Sequence, residues 1–319
     1  MIAAWLLLLV PLSSQNPAWS LLHSMPVHQV SSAKTLSGDE LLRIGEIHDH
    51  QHNFPETMTY YQLALTTFRE HKQVRGVATA LVKIAQVYER QGKIEEAYIA
   101  LQEAVPIFAR SSDRTAHAGA LLVMGRVSAR LGYLDNARTS FSQALSLFHR
   151  INDRHGWNET MVQLGLLQVG DGLTEQGLSS LQQAWQDART RQDRGQQLAA
   201  VVALGNAHWL LGQMNAARSY YDESLHLAEV EGNMTIEAML RLRLAQLDGE
   251  EERLDDGIEL GKRALFLSQT LRDVVTEAAA LSLLAELYRK TGRNVEANDS
   301  EQRALAIYRS RQIFVHGAR

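Results

Sequence analysis

Small and hydrophobic positions recur along this chain with a period of forty residues. Gly45, Ala85, Gly125, Gly165, Gly205, Ala245 and Ala285 stand forty apart without one insertion. An aliphatic residue precedes each: Ile44, Ile84, Met124, Leu164, Leu204, Leu244 and Leu284. Three residues earlier the column reads Leu41, Leu81, Leu121, Met161, Val201, Arg241 and Leu281. That i, i+3, i+4 spacing marks one face of an α-helix. Gly92, Gly132, Gly172, Gly212 and Gly292 then break the pattern, as a turn requires. A second helix follows in each unit. Its small columns are Thr57, Ala97, Ala137, Gly177, Ala217, Gly257, Ala297 and, seven residues on, Ala64, Ala104, Ala144, Ala184, Ser224, Ala264, Ala304. Tyr61, Leu101, Phe141, Leu181 and Tyr221 form a bulky column between them. Small residues let two helices approach, and large ones fill the space where they diverge. The pattern predicts seven helical hairpins, at about 38–74, 75–114, 115–154, 155–194, 195–234, 235–274 and 275–310.

Asp113, Asp153, Asp193, Asn233 and Asp273 recur where one hairpin passes to the next. Asp or Asn at that place caps the following helix by accepting from its free backbone N–H groups. Some units depart from the pattern. Unit six carries Asp248, Glu252, Gly257 and Gly261. Two glycines within one helix cost about 1 kcal/mol each, so this unit is expected to be the loosest. Pro106 should bend or shorten its helix. Glu301 and its polar neighbours suit a solvent-facing end cap.

The order aliphatic–small, turn glycine, then small, bulky and Ala resembles the tetratricopeptide repeat. The forty-residue period resembles the subclass with lengthened helices found in LGN/Pins-type adaptors, most clearly from Asp193-Arg194 through Leu204-Gly205-Asn206-Ala207 to Leu211-Gly212. The resemblance covers about residues 38–310. It implies an all-α solenoid, a right-handed superhelix whose first helices line a concave groove that takes up a partner segment. It implies binding without catalysis.

Composition adds limits. The 319 residues carry a formal charge of -4, which argues against nucleic acid as the main partner. There is no cysteine, hence no disulfide or thiolate chemistry. Ile2–Val10 is an apolar run half the length of a membrane span, and Ala18-Trp19-Ser20 supplies small residues for cleavage. Residues 1–20 are therefore expected to be a signal peptide for export to a periplasm or the exterior, with the cytoplasm as the alternative. Residues 21–37 read as a linker and 311–319 as a tail.

On the implied groove, Arg43, Glu46, Lys83, Gln86, Arg90, Arg126, Arg130, Gln163, Asn206, Trp209 and Arg243 are the candidate ligand contacts. In the adaptors an Asn after Leu-Gly touches the ligand backbone; Asn206 alone matches. The cations of the first three units favour an acidic segment by charge-assisted bonds. His48 and His52 lie i, i+4, the one arrangement with metal-ligand spacing, but no glutamate completes a His-Glu-x-x-His motif. No phosphate loop, dinucleotide fingerprint or serine elbow is present, and no cofactor is expected. The readings are a protein-interaction scaffold, a peptide- or ligand-sensing module, and, third, a metal enzyme built on the histidines.

Overall fold

The structure, a computed structural model, describes residues 36–51 and 53–310. The expected signal peptide, most of the linker, His52 and the tail lie outside the described residues. The rest is helical: α1 Gly38–His50, α2 Phe54–Glu70, α3 Val74–Arg90, α4 Ile94–Ala109, α5 Arg114–Arg130, α6 Leu134–Arg150 and α7 Arg154–Gly170. Then come α8 Thr174–Thr190, α9 Arg194–Leu210, α10 Met214–Val230, α11 Met234–Glu250, α12 Leu254–Leu271, α13 Val274–Lys290 and α14 Asn294–Ser310. Among the described residues there is no strand, and no helix is long and apolar enough to cross a membrane. The chain divides into two compact units, one ending at Ala184 and the other beginning at Trp185.

Within each unit the helices pack as consecutive antiparallel pairs, and each pair leans on the next. The odd-numbered helices are the first helices of the hairpins. From α5 on they begin at residues 114, 154, 194, 234 and 274, forty apart, directly after the Asp and Asn column. Each of those residues caps as the sequence suggests. The backbone N–H groups of Ala116 and Gly156 donate to Asp113 and Asp153 at 2.9 Å, and Gln196, Ile236 and Thr276 donate to Asp193, Asn233 and Asp273 at 3.1 Å. A cap of this kind contributes about 1 kcal/mol.

The small-against-large rule appears as direct contact. A Cβ at Gly45, Gly125 or Gly205 would stand 2.4–2.6 Å from the ring of Tyr61, Phe141 or Tyr221. All three rings are fully enclosed. The glycines are thus gaps in the first helix through which aromatic rings of the second pass.

Both turns of a repeat use left-handed backbone. The turn within the hairpin places Gly92, Gly132, Gly172, Gly212 and Gly292 at positive φ, and Glu252 adopts the same conformation at φ 60°. The turn between hairpins places Lys72, Asn152, Gln192, Gly232 and Arg272 at positive φ. Ser112 is the missing member. There α4 ends at Ala109, one residue short of the other second helices, because Pro106 removes a backbone donor from its last turn. The helix nonetheless runs three residues past the proline.

Unit six is filled and paired from its neighbours. Leu284 and Leu287 of α13 occupy the space over Gly261 and Gly257, so the missing side chains leave no void. Asp248, only 2% exposed, accepts from Arg218 at 2.6 Å and Arg253 at 2.9 Å. Arg241, which breaks the aliphatic column, pairs with Glu237 and Glu229 at 2.9 and 2.7 Å. Helix propensity is low here, but packing and buried pairing from neighbouring helices offset it.

Candidate binding face

The first helices of successive hairpins touch one another: α1 meets α3, α3 meets α5, α5 meets α7, and α11 meets α13. The expected contact residues lie on these first helices, and in the first unit most of the cations among them are engaged by neighbouring first helices. Lys83 pairs with Glu46 at 2.8 Å, 37 residues away. Arg90 pairs with Asp49 and lies 5.7 Å from the Phe54 ring centre. Arg126 grips Glu89 with two bonds, 2.9 and 3.1 Å, and reaches Glu159 at 3.3 Å. Burial works against the Arg126 charge, but Glu89 and Glu159 more than offset it, so its pKa is raised.

Arg130 donates to the Glu89 carbonyl oxygen at 2.8 Å. Lys290 does the same to Gly249 at 3.1 Å in the second unit. Both cations reach back 41 residues to a carbonyl in the last turn of the preceding first helix, where the helix dipole is negative. Of the five cations expected in the first unit, Arg43 and Arg130 are exposed and meet no carboxylate among the described residues, and Arg130 is held by the carbonyl alone. Four carboxylates (Glu46, Asp49, Glu89, Glu159) meet Lys83, Arg90 and Arg126. Three of these cations are thus already engaged by carboxylates, which leaves less charge for an acidic segment. Gln86 is half-buried and Gln163 buried.

In the second unit the expected contacts are an amide, an indole and one cation. Asn206, 8% exposed, accepts the Tyr221 hydroxyl at 2.8 Å on its Oδ1. Burial pushes the Tyr221 phenol pKa up, so it stays protonated and able to donate. With Oδ1 occupied, the amide of Asn206 is held with its NH2 as the group left for an incoming acceptor. One turn on, the Arg243 guanidinium lies 5.4 Å from the Trp209 ring centre. Three expected residues, Asn206, Trp209 and Arg243, thus stand together. Tyr221, the residue that orients Asn206, was visible in the sequence only as a packing position.

His48 stacks on Tyr60, with ring centres 5.3 Å apart and planes 7° apart. Among the described residues no three His, Cys, Asp or Glu side chains are grouped to hold a metal.

A family model described as tetratricopeptide repeat matches residues 78–107 and 198–230. Those segments are hairpins two and five. The fold is similar to that of RapI in its apo form, with 13% identity, 88% of this chain and 100% of that chain covered, and a TM-score of 0.64. It is similar to a signal-transduction ATPase with a tetratricopeptide repeat sensor from Pyrococcus horikoshii: 17% identity, 88% and 42% covered, TM-score 0.63. A third similar structure is the Rap conjugation gene regulator of plasmid pLS20 in complex with the Phr* peptide: 18% identity, 95% and 81% covered, TM-score 0.62. These likenesses establish a tetratricopeptide-type helical fold. No curated protein matches the chain.

Proposed function

We propose that this chain is a peptide-binding repeat module that acts by recognition, without catalysis of its own, through the face of its first helices. The observation that carries the reading is the Asn206 amide. Tyr221 holds it on the face with its NH2 still to be satisfied, beside the Trp209–Arg243 stack. A fixed amide and a flat aromatic suit an extended peptide, whose backbone carbonyls need donors and whose side chains need a surface. The similar regulator solved with the Phr* peptide supports this reading, since the fold accommodates a peptide there. The forty-residue period supports placing the repeats in the lengthened subclass. The sensor reading is favoured by one observation, the likeness to a repeat region described as a sensor. It uses the same face and adds a response to binding.

The test is a thermal-shift screen of short peptides against the full chain. A ligand of the folded state must raise the melting temperature by mass action. Hits should lose their effect on Asn206→Ala and Trp209→Ala chains that melt normally. Hits that ignore both substitutions, or a screen with none, would overturn the reading.

A further inference from the structure

We propose that the bound peptide brings an aspartate or glutamate side chain to Arg243 and the Asn206 amide, the place that Glu46 fills from within at the equivalent position of the first unit. The inference rests on the peptide-binding reading and adds the chemistry that the ligand must carry.

Four periods of the repeat separate two copies of one arrangement (205 − 45 = 160). Gly45, His48, Tyr60, Tyr61 and Lys83 recur as Gly205, His208, Tyr220, Tyr221 and Arg243. The copies agree in structure. Tyr61 and Tyr221 each fill a glycine gap and are fully enclosed. His48 stacks on Tyr60 and His208 on Tyr220, with ring centres 5.3 and 5.1 Å apart. Where the first copy holds the carboxylates of Glu46 and Asp49, the second holds Asn206 and Trp209.

The exchange changes which neighbour is served. In the first copy Glu46 turns to Lys83 at 2.8 Å, and the buried Tyr61 hydroxyl has no partner among the described residues. In the second, Asn206 accepts from the Tyr221 hydroxyl at 2.8 Å, and the cation is left without a carboxylate. Burial raises the pKa of both phenols. Beyond burial, Asp49, Glu46 and Arg90 act on Tyr61, whereas Arg243 alone acts on Tyr221.

Among the described residues six arginines are half-buried. Arg126, Arg138, Arg191, Arg218 and Arg241 each meet an Asp or Glu. Arg243 meets none, and among the described residues it makes no hydrogen bond. Its contact with Trp209 takes the flat face of the guanidinium and leaves the N–H groups, which lie in the plane.

The internal copy selects the ligand. The groups left over, the Asn206 NH2 and the Arg243 N–H edge, are all donors, and one carries a charge. In the first copy the cation at this position is matched by one carboxylate on a short side chain. A ligand Asp or Glu supplies the same group, to which an arginine can donate two parallel bonds. A phosphoryl group brings nearly two charges to one cation, and a cationic or apolar side chain leaves the donors unmet.

The probe is a library of randomised peptides of about seven residues, roughly 23 Å when extended, acetylated and amidated so that neither chain end is charged. Peptides retained by the full chain are sequenced by mass spectrometry. They should share an Asp or Glu at one position. Exchange of that residue for Asn or Gln should weaken binding about tenfold or more, and exchange for phosphoserine should bring no gain. A free C-terminus should not replace the acidic side chain, and added salt should weaken binding. Asn206→Glu rebuilds the Glu46–Lys83 pair within the second copy, so that chain should melt normally and bind the acidic peptides about tenfold less. Arg243→Gln should remove the preference for Glu over Gln. Retained peptides that need Asn206 and Trp209 but carry no acid would overturn this inference and leave the peptide-binding reading standing. Unchanged binding of acidic peptides to both variants, a gain from phosphoserine, or dependence on the chain end in place of the side chain would also overturn it. A library from which nothing is retained would end both.

Discussion

Replacing Gly205 by alanine adds one methyl group, and the structure fixes what that group meets. The new Cβ would lie 2.6 Å from two ring carbons of Tyr221. Carbon atoms at ease sit about 3.5–4.0 Å apart. The ring is fully buried and its hydroxyl is committed to Asn206, so it cannot step aside freely. Overpacking of this kind costs about 1–3 kcal/mol. Loss of the Tyr221–Asn206 hydrogen bond adds about 1 kcal/mol. Alanine regains about 1 kcal/mol of helix propensity. The net expectation is a loss of about 1–3 kcal/mol. Gly119 is the control, since it too lies within a first helix and a Cβ there meets nothing within 4 Å. Only the propensity gain remains, and Gly119→Ala should stabilise by about 0.5–1 kcal/mol. Urea unfolding followed by circular dichroism measures both, with the slope checked for each variant because repeat arrays can lose cooperativity. A Gly205→Ala chain as stable as the parent would refute the claim that the tyrosine ring fills the gap in that helix.

Other outcomes follow from the paired charges and the chain start. Asp248→Ala removes a buried carboxylate shared by Arg218 and Arg253, which keep Glu251 and some solvent, so the expected loss is about 1–2 kcal/mol, read as a lower urea midpoint. Arg126→Glu would bring a third carboxylate to Glu89 and Glu159 and should lower the melting temperature. A double-mutant cycle on Arg126 and Glu89 should give a coupling of about 0.5–3 kcal/mol, and a coupling near zero would deny the pair. If residues 1–20 direct export, mass spectrometry of the chain from its native compartment will find Leu21 at the mature terminus. An intact Met1 would end that proposal.

The fold was legible because its signals are local and repeated. The Gly and Ala column, the turn glycines and the Asp and Asn caps each report on residues within one turn of themselves, and seven copies raise them above chance. The second left-handed turn was hidden, since Lys72, Gln192 and Arg272 have no preference for positive φ; close packing of the next hairpin imposes it. The packing over the glycines of unit six was hidden for a similar reason, because Leu284 and Leu287 come from the following hairpin. On the candidate face, the positions were legible and the partners were not. Lys83 and Glu46 are 37 residues apart, Arg90 and Asp49 are 41. A search for opposite charges at one period plus or minus a few residues would have found both pairs. The Tyr221–Asn206 bond needed the passage past Gly205 to be seen.

Amide chemical-shift mapping with the strongest peptide from the thermal screen tests the proposed role most directly. The account predicts that the largest shifts fall on the first helices of the second unit, at Asn206, Trp209, Arg243 and their neighbours. Shifts confined to α10, α12 and α14, with those three residues unmoved, would contradict it.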